Sequence, residues 1–143
     1  MLSLALAMLA LTQAPDAARD AAARPADSPA ASAPAESGAT DAARQFLALV
    51  DAGNWDESYA AWAPSFRTQN TLEAWRSASE GGRVPLGRVL SRSLLGEEDI
   101  PAPPNGYRLV RFRTDFANRP GATERLSLAR EGDRWRVAGY IIE

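Results

Sequence analysis

Few residues in this sequence could carry out catalysis. The chain of 143 residues contains no histidine and no cysteine, and all 16 of its cationic residues are arginine. Thiol and histidine nucleophiles, Cys/His zinc sites, disulfide bonds and lysine Schiff-base chemistry are therefore excluded. A catalytic base would have to be a tyrosine or a carboxylate whose pKa is raised by burial. The residues that could form such a pair are Asp56, Asp115, Tyr59, Tyr107 and Tyr140.

The two aspartates have simpler structural explanations. Asp56 lies in the first turn of a predicted helix, where a negative charge favours the helix dipole. Asp115 lies on the polar side of a predicted strand. Because no pair of carboxylates in a pocket is visible, the sequence predicts a protein that is not an enzyme and that uses no cofactor and no metal.

Aromatic residues form the densest cluster of candidate binding residues. Trp55, Tyr59 and Trp62 recur at helical spacing, and Phe66 and Trp75 follow. The rings either fill the core or line a pocket that stacks on a flat or sugar-like ligand. Aromatic residues at this spacing are more often part of a core.

Arg83 and Glu124 are predicted to form a buried or half-buried ion pair. Arg83 follows two glycines that end a helix and precedes Pro85, and its planar guanidinium suits a carboxylate. The pair would clip the helix end to the sheet, and the functional alternative is an anion site at Arg83 and Arg92. The candidate ligand-binding or structural pocket comprises Tyr59, Phe66, Trp75, Arg83, Arg92 and Glu124.

The first 40 residues are predicted to precede the folded domain. Residues 2–11 are an unbroken apolar run that is too short to cross a bilayer and is typical of a signal peptide, assigned to residues 1–14. Residues 15–40 contain no aromatic residue and no Leu, Ile or Val, a composition typical of a disordered linker. The sequence therefore predicts a periplasmic or secreted protein with no transmembrane segment in its mature form.

Helical signals come first in the remaining chain. Apolar spacing and capping residues predict one helix that ends at Gly53 and a second from the N-cap Asn54 to Pro64. A third helix is predicted from Asn70 to the stop at Gly81.

The hydrophobic period then changes to two. Strands are predicted over residues 86–95, 107–116, 123–130 and 134–142, with a proline-rich loop over 97–105. Because the last three strands are joined by short turns, they must be antiparallel neighbours.

This order of elements predicts an α+β domain over residues 41–143. N-terminal helices would pack on one face of a curved antiparallel sheet. On the second strand Val110, Phe112, Thr114 and Phe116 are expected to share one face, and Gly139 is expected to mark a bulge in the last strand.

Several motifs in this arrangement match a known family. The matching pieces are LALVDAGNWDESYAAWAPSFR, Trp75, RVPLG with Arg92 after it, residues 107–118, Glu124 and the closing DRWRVAGY. They resemble the NTF2-like (cystatin-like) cone folds and are similar, more narrowly, to the bacterial family catalogued as domain of unknown function 4019. The resemblance implies an exported protein with no established activity. It also implies an alternative, an enzyme of the ketosteroid-isomerase kind that uses an Asp and a Tyr in the cone pocket.

We therefore expect an exported bacterial module that binds or interacts and does not catalyse. It would bind either a small apolar or sugar-like ligand in the cone or a protein partner on the open sheet. Its partner would be an envelope protein or a second copy held through the open sheet, with Phe112 or Trp135 at the contact. The formal charge of −2 argues against nucleic-acid binding.

Two observations would discriminate between these functions. A cavity of a few hundred cubic ångströms between the helices and the sheet would favour a ligand. A filled cone with an apolar outer patch would favour a partner.

Overall fold

A computed structural model describes residues 37–143. In this part of the chain four α-helices precede four β-strands. The helices are α1 (Gly38–Asp51), α2 (Trp55–Ala60), α3 (Pro64–Gln69) and α4 (Leu72–Gly82), and a 3-10 turn, Val84–Leu86, follows α4. The predicted signal peptide and residues 15–36 of the predicted linker lie outside the described residues.

The strands form a single antiparallel sheet in the order β1-β2-β3-β4. They are β1 (Val89–Ile100), β2 (Tyr107–Phe116), β3 (Arg119–Glu131) and β4 (Arg134–Ile142). The predicted α+β class is therefore confirmed, and so are the predicted bounds of the second and fourth strands.

The first helix begins earlier than predicted. Ser37 caps α1, since its side chain accepts hydrogen bonds from the backbone N–H groups of Ala39 and Thr40. Ala39 and Thr40 are fully buried. Residues 38–40 thus belong to the folded part, and the predicted linker boundary at residue 40 is wrong. The small residues Ala39 and Thr40 have the composition of a linker, but they are buried in the first turn of α1.

The prediction that Pro64 ends a helix is also wrong. Pro64 is the first residue of α3, a position where its missing N–H costs nothing. The N-cap of α4 is Thr71, whose hydroxyl accepts from the N–H of Ala74. Asn70, the predicted cap, instead donates its side-chain amide to the carbonyl of Phe66 at the end of α3.

Two strands extend beyond their predicted bounds because of pairing with β2. β1 continues to Ile100, opposite Tyr107, and so takes up part of the predicted loop. β3 begins at Arg119, opposite Phe116, inside the predicted turn. The expected bulge in β4 is confirmed, because the register shifts between Ser127, opposite Gly139, and the next residue.

The core lies between α1 and the inner face of the sheet. Val110 and Phe112 of β2, which were predicted to share a face, are both fully buried and cluster with Phe46 and Leu47 of α1. Since Phe112 faces the helices, the prediction that it contacts a partner through the open sheet is wrong. Trp135, the other predicted contact, is half-buried and packs against the same cluster.

A carboxylate ties the start of α1 to β1. Glu97 accepts hydrogen bonds from Ser37 (2.6 Å), from Thr40, and from both the Nη2 (2.7 Å) and the Nε (3.1 Å) of Arg108. Burial would raise the pKa of Glu97, but these hydrogen bonds lower it to about 2.

We predict that Glu97→Gln lowers the free energy of unfolding by about 1–2 kcal/mol at neutral pH, because three donor side chains lose a charged acceptor. The folded state holds this carboxyl at a lower pKa than the unfolded chain does. Its contribution is therefore complete above the ordinary glutamate pKa and is lost as the pH falls toward 2. Urea unfolding at pH 7 and pH 3 should show a smaller difference at the lower pH. Glu98→Gln, on the exposed neighbouring side chain, is the control, and an equal loss in both variants would contradict the prediction.

Candidate functional site

Each strand of the sheet contributes one residue to a polar network on the inner face. Glu124 of β3 is completely buried. Its Oε1 accepts from the Thr114 hydroxyl of β2 (2.5 Å) and from the Nε of Arg92 of β1 (2.7 Å). Its Oε2 accepts from the hydroxyl of Tyr140 of β4 (2.5 Å). The alternation of side chains along the strands places all four residues on the face that the helices cover.

The network continues to the end of α1. Arg92 donates through its two terminal nitrogens to the carboxylate of Asp51, at 2.7 and 3.1 Å. Asp51 also accepts from the Nη2 of Arg83 at 3.0 Å, and the Nη1 of Arg83 donates to the carbonyl of Gly87 at 2.7 Å. Two arginines and two carboxylates thus alternate from α4 to the middle of the sheet.

The prediction that Arg83 pairs with Glu124 is therefore wrong. Arg83 does clip the end of α4, but it does so through Asp51, and it is Arg92 that binds Glu124. Sequence reasoning missed Asp51 because an acidic residue at the end of a helix resembles an ordinary solvated position. It also missed that Arg92, on a strand, reaches both carboxylates.

Two pKa shifts describe the electrostatics of the network. Burial alone would lower the pKa of Arg92, but its bonds to Asp51 and Glu124 raise it above the ordinary arginine value. Burial, together with the adjacent Glu124 charge and the hydrogen bond to it, raises the pKa of Tyr140 well above that of a free phenol. Arg92 is thus charged and Tyr140 is protonated at neutral pH.

A cavity of about 260 Å³ lies beside this network. It is bounded by α4, by the 3-10 turn that follows α4, and by the ends of β3 and β4. Its lining includes Trp75, Ser79, Arg83, Leu86, Arg119 and Tyr140. The indole N–H of Trp75 donates to the buried Ser58 hydroxyl at 2.9 Å, which fixes the ring that forms the apolar wall.

The cavity brings together only part of the predicted pocket. Trp75 and Arg83 line it, while Arg92 and Glu124 lie behind Tyr140 in the network. Tyr140, which the sequence analysis considered only as a candidate catalytic residue, lines the cavity and is also hydrogen-bonded to Glu124 in the network.

Tyr59 and Phe66, two further residues of the candidate ligand-binding or structural pocket, do not line this cavity and pack against the core. The Tyr59 hydroxyl donates to the backbone carbonyls of Arg67 and Asn70, which fixes α2 against α3. Phe66 stacks on Trp62 with ring centroids 3.6 Å apart. Both residues support the helical layer, as the structural interpretation of the aromatic stripe expected.

The two aspartates considered for catalysis lie elsewhere. Asp56 forms an ion pair with Arg76 on the surface. Asp115 is hydrogen-bonded to Ser91 and to the N–H of Gly121 on the outer side of the sheet. Neither lines the cavity. Among residues 37–143, no cluster of acidic side chains has the arrangement of a metal site, and no helix has the length and apolarity needed to cross a bilayer.

The fold and the site define a class of protein: an α+β domain whose helices cover a four-stranded antiparallel sheet with a buried ionic network beside a small cavity. The model of a family described as "Protein of unknown function (DUF4019)" matches residues 42–140, and the chain belongs to this family. The narrower resemblance expected from the motifs, to the family catalogued as domain of unknown function 4019, is thereby confirmed. No curated protein and no solved structure matches the chain.

We predict that Tyr140→Phe lowers the free energy of unfolding by about 1.5–3 kcal/mol, because a buried carboxylate loses a hydrogen bond. Tyr107→Phe is the matched control, since Tyr107 is 39% exposed. Urea denaturation of both variants measures the effect. Equal stabilities of the two variants would contradict the proposed importance of the Tyr140 hydroxyl.

Proposed function

We propose that this protein is an exported bacterial module that binds a small molecule in the cavity beside Tyr140 and does not catalyse a reaction. The observation that carries the proposal is the cavity itself, whose lining combines apolar side chains (Trp75, Leu86, Ile142) with polar ones (Ser79, Arg83, Arg119, Tyr140). Ligand sites generally combine these two features. The apolar run at residues 2–11 supports export. The helices over the inner face of the sheet are consistent with an NTF2-like cone.

The size of the cavity limits the ligand. Sites for drug-sized molecules occupy about 300–1,000 Å³, and this cavity measures about 260 Å³. The ligand is therefore a small molecule, such as a single substituted ring or a short branched chain. Trp75, Leu86 and Ile142 supply apolar surface for it.

The surroundings of Glu124 support binding over catalysis. A general base needs a free acceptor near the substrate. Glu124 is not part of the cavity lining, and donors from three side chains occupy its oxygens. Tyr140 does line the cavity, but burial beside Glu124 raises its pKa, so it stays protonated and cannot act as a base at neutral pH.

One contact favours a second candidate, the isomerase-like enzyme. The Tyr140 hydroxyl is 2.5 Å from a buried carboxylate and lines a cavity. Such a pair could polarise a carbonyl group if Tyr140 turned its proton toward a ligand. The enzyme still lacks a base, because no carboxylate is among the described residues that line the cavity.

Binding can be tested with two small probes of matched shape, benzoate and benzyl alcohol. We predict that at least one of them shifts the indole N–H resonance of Trp75 saturably in ¹H–¹⁵N spectra. Ala78→Leu places a larger side chain in the cavity lining and should abolish the shift. Ala74→Leu, one turn earlier on the same helix and outside the lining, should leave it unchanged. No saturable shift with either probe, or equal shifts in both variants, would contradict the proposed function.

A further inference from the structure

Two buried donors without partners among the described residues lie one turn apart at the C-terminal end of α4. Ser79 is 4% exposed and Arg83 is 6% exposed, and both line the cavity. The Ser79 hydroxyl and the Nε–H of Arg83 have no hydrogen-bond partner among the described residues. The N–H of Arg83 bonds to the carbonyl of Ser79, which places both residues on the same side of the helix end. Buried donors in this state cost stability until an acceptor reaches them.

Two of the three guanidinium nitrogens of Arg83 already have hydrogen-bond partners. Each of its terminal nitrogens has a partner, Gly87 for one and Asp51 for the other. The guanidinium also lies over the ring of Phe116, 4.6 Å from the ring centroid, so it cannot turn freely. Of the three guanidinium nitrogens, Nε is therefore the one that has no hydrogen-bond partner among the described residues.

The charges at the cavity leave one positive charge uncompensated. Arg83 and Arg92 are balanced by Asp51 and Glu124 within the network. Arg119 lines the cavity from the start of β3, is exposed, and forms no ion pair with a described residue. A ligand with a single negative charge would neutralise the site.

We propose that the cavity binds a small carboxylate with an apolar body. Its oxygens accept from Ser79 and Arg83, its charge is attracted by Arg119, and its body packs on Trp75, Leu86 and Ile142. The two donors match the two oxygens of a carboxylate, and the one uncompensated positive charge matches its single negative charge. A phosphate has more acceptor oxygens and more negative charge than the site can pair. This inference rests on the proposed function and specifies its ligand class.

The test compares the affinities of benzoate and benzyl alcohol at pH 7, where benzoate is ionised. The two probes share the ring and differ in the charged head. We predict that the wild-type chain binds benzoate about tenfold more tightly, because the head gains hydrogen bonds from buried donors. Titration of the Trp75 indole resonance gives both affinities.

Three variants separate the contributions. Ser79→Ala should weaken benzoate about fivefold and leave benzyl alcohol unchanged, since it removes one donor and suits the helix. Arg119→Gln should weaken benzoate about threefold and reduce its sensitivity to salt. Arg111→Gln removes the same charge from an exposed position on the opposite face of the sheet and should change neither affinity.

The outcomes distinguish this inference from the proposed function. Equal affinities for the two probes, with no effect of Ser79→Ala, would mean that the donors hold water, and would overturn the carboxylate proposal while binding stands. An equal loss in Arg119→Gln and Arg111→Gln would also overturn the assigned role of Arg119. If neither probe binds the wild-type chain, the proposed function and this inference fail together.

Discussion

Burial of the Glu124 carboxylate is the constraint on which the rest of the domain depends. Transfer of a single carboxylate from water into a protein interior costs several kcal/mol, and only a cation and well-placed donors offset that cost. Here Arg92 supplies the cation, and Thr114 and Tyr140 supply the donors. Because these residues come from all four strands, the sheet must hold its register for the charge to be tolerated. A shift by one residue would carry Glu124 to the outer face.

The same constraint orders the helical layer and the cavity. Arg92 binds both Glu124 and Asp51, so α1 must end within reach of the Arg92 side chain. Asp51 in turn binds Arg83, which fixes the end of α4. The side of Tyr140 away from the network remains free to line the cavity between α4 and the sheet. The ionic network therefore lies behind the proposed binding site, and its carboxylates do not contact the ligand.

The sequence predicted local features well and long-range pairings poorly. Alternation identified β2 and β4 and the inward position of Val110, because side-chain period is a property of a single strand. The start of α1 and the role of Pro64 were missed, because small residues and prolines are common both in linkers and at the ends of helices. The pocket was half right. Trp75 and Arg83 line the cavity, and Arg92 and Glu124 lie in the adjoining network. The pairing of Glu124 with Arg92 depends on which strands are neighbours, and spacing along the chain does not specify that.

The central claim is most directly tested by a double-mutant cycle between Arg92 and Glu124. The free energies of unfolding of Arg92→Gln, Glu124→Gln and the double variant, each relative to the wild-type chain, give their coupling energy. We predict a coupling of about 2 kcal/mol or more, with the double variant more stable than the sum of the single losses implies. Arg92→Gln leaves the buried Glu124 carboxylate without its cation, and this penalty disappears when Glu124 is also replaced. Additive losses would contradict the account.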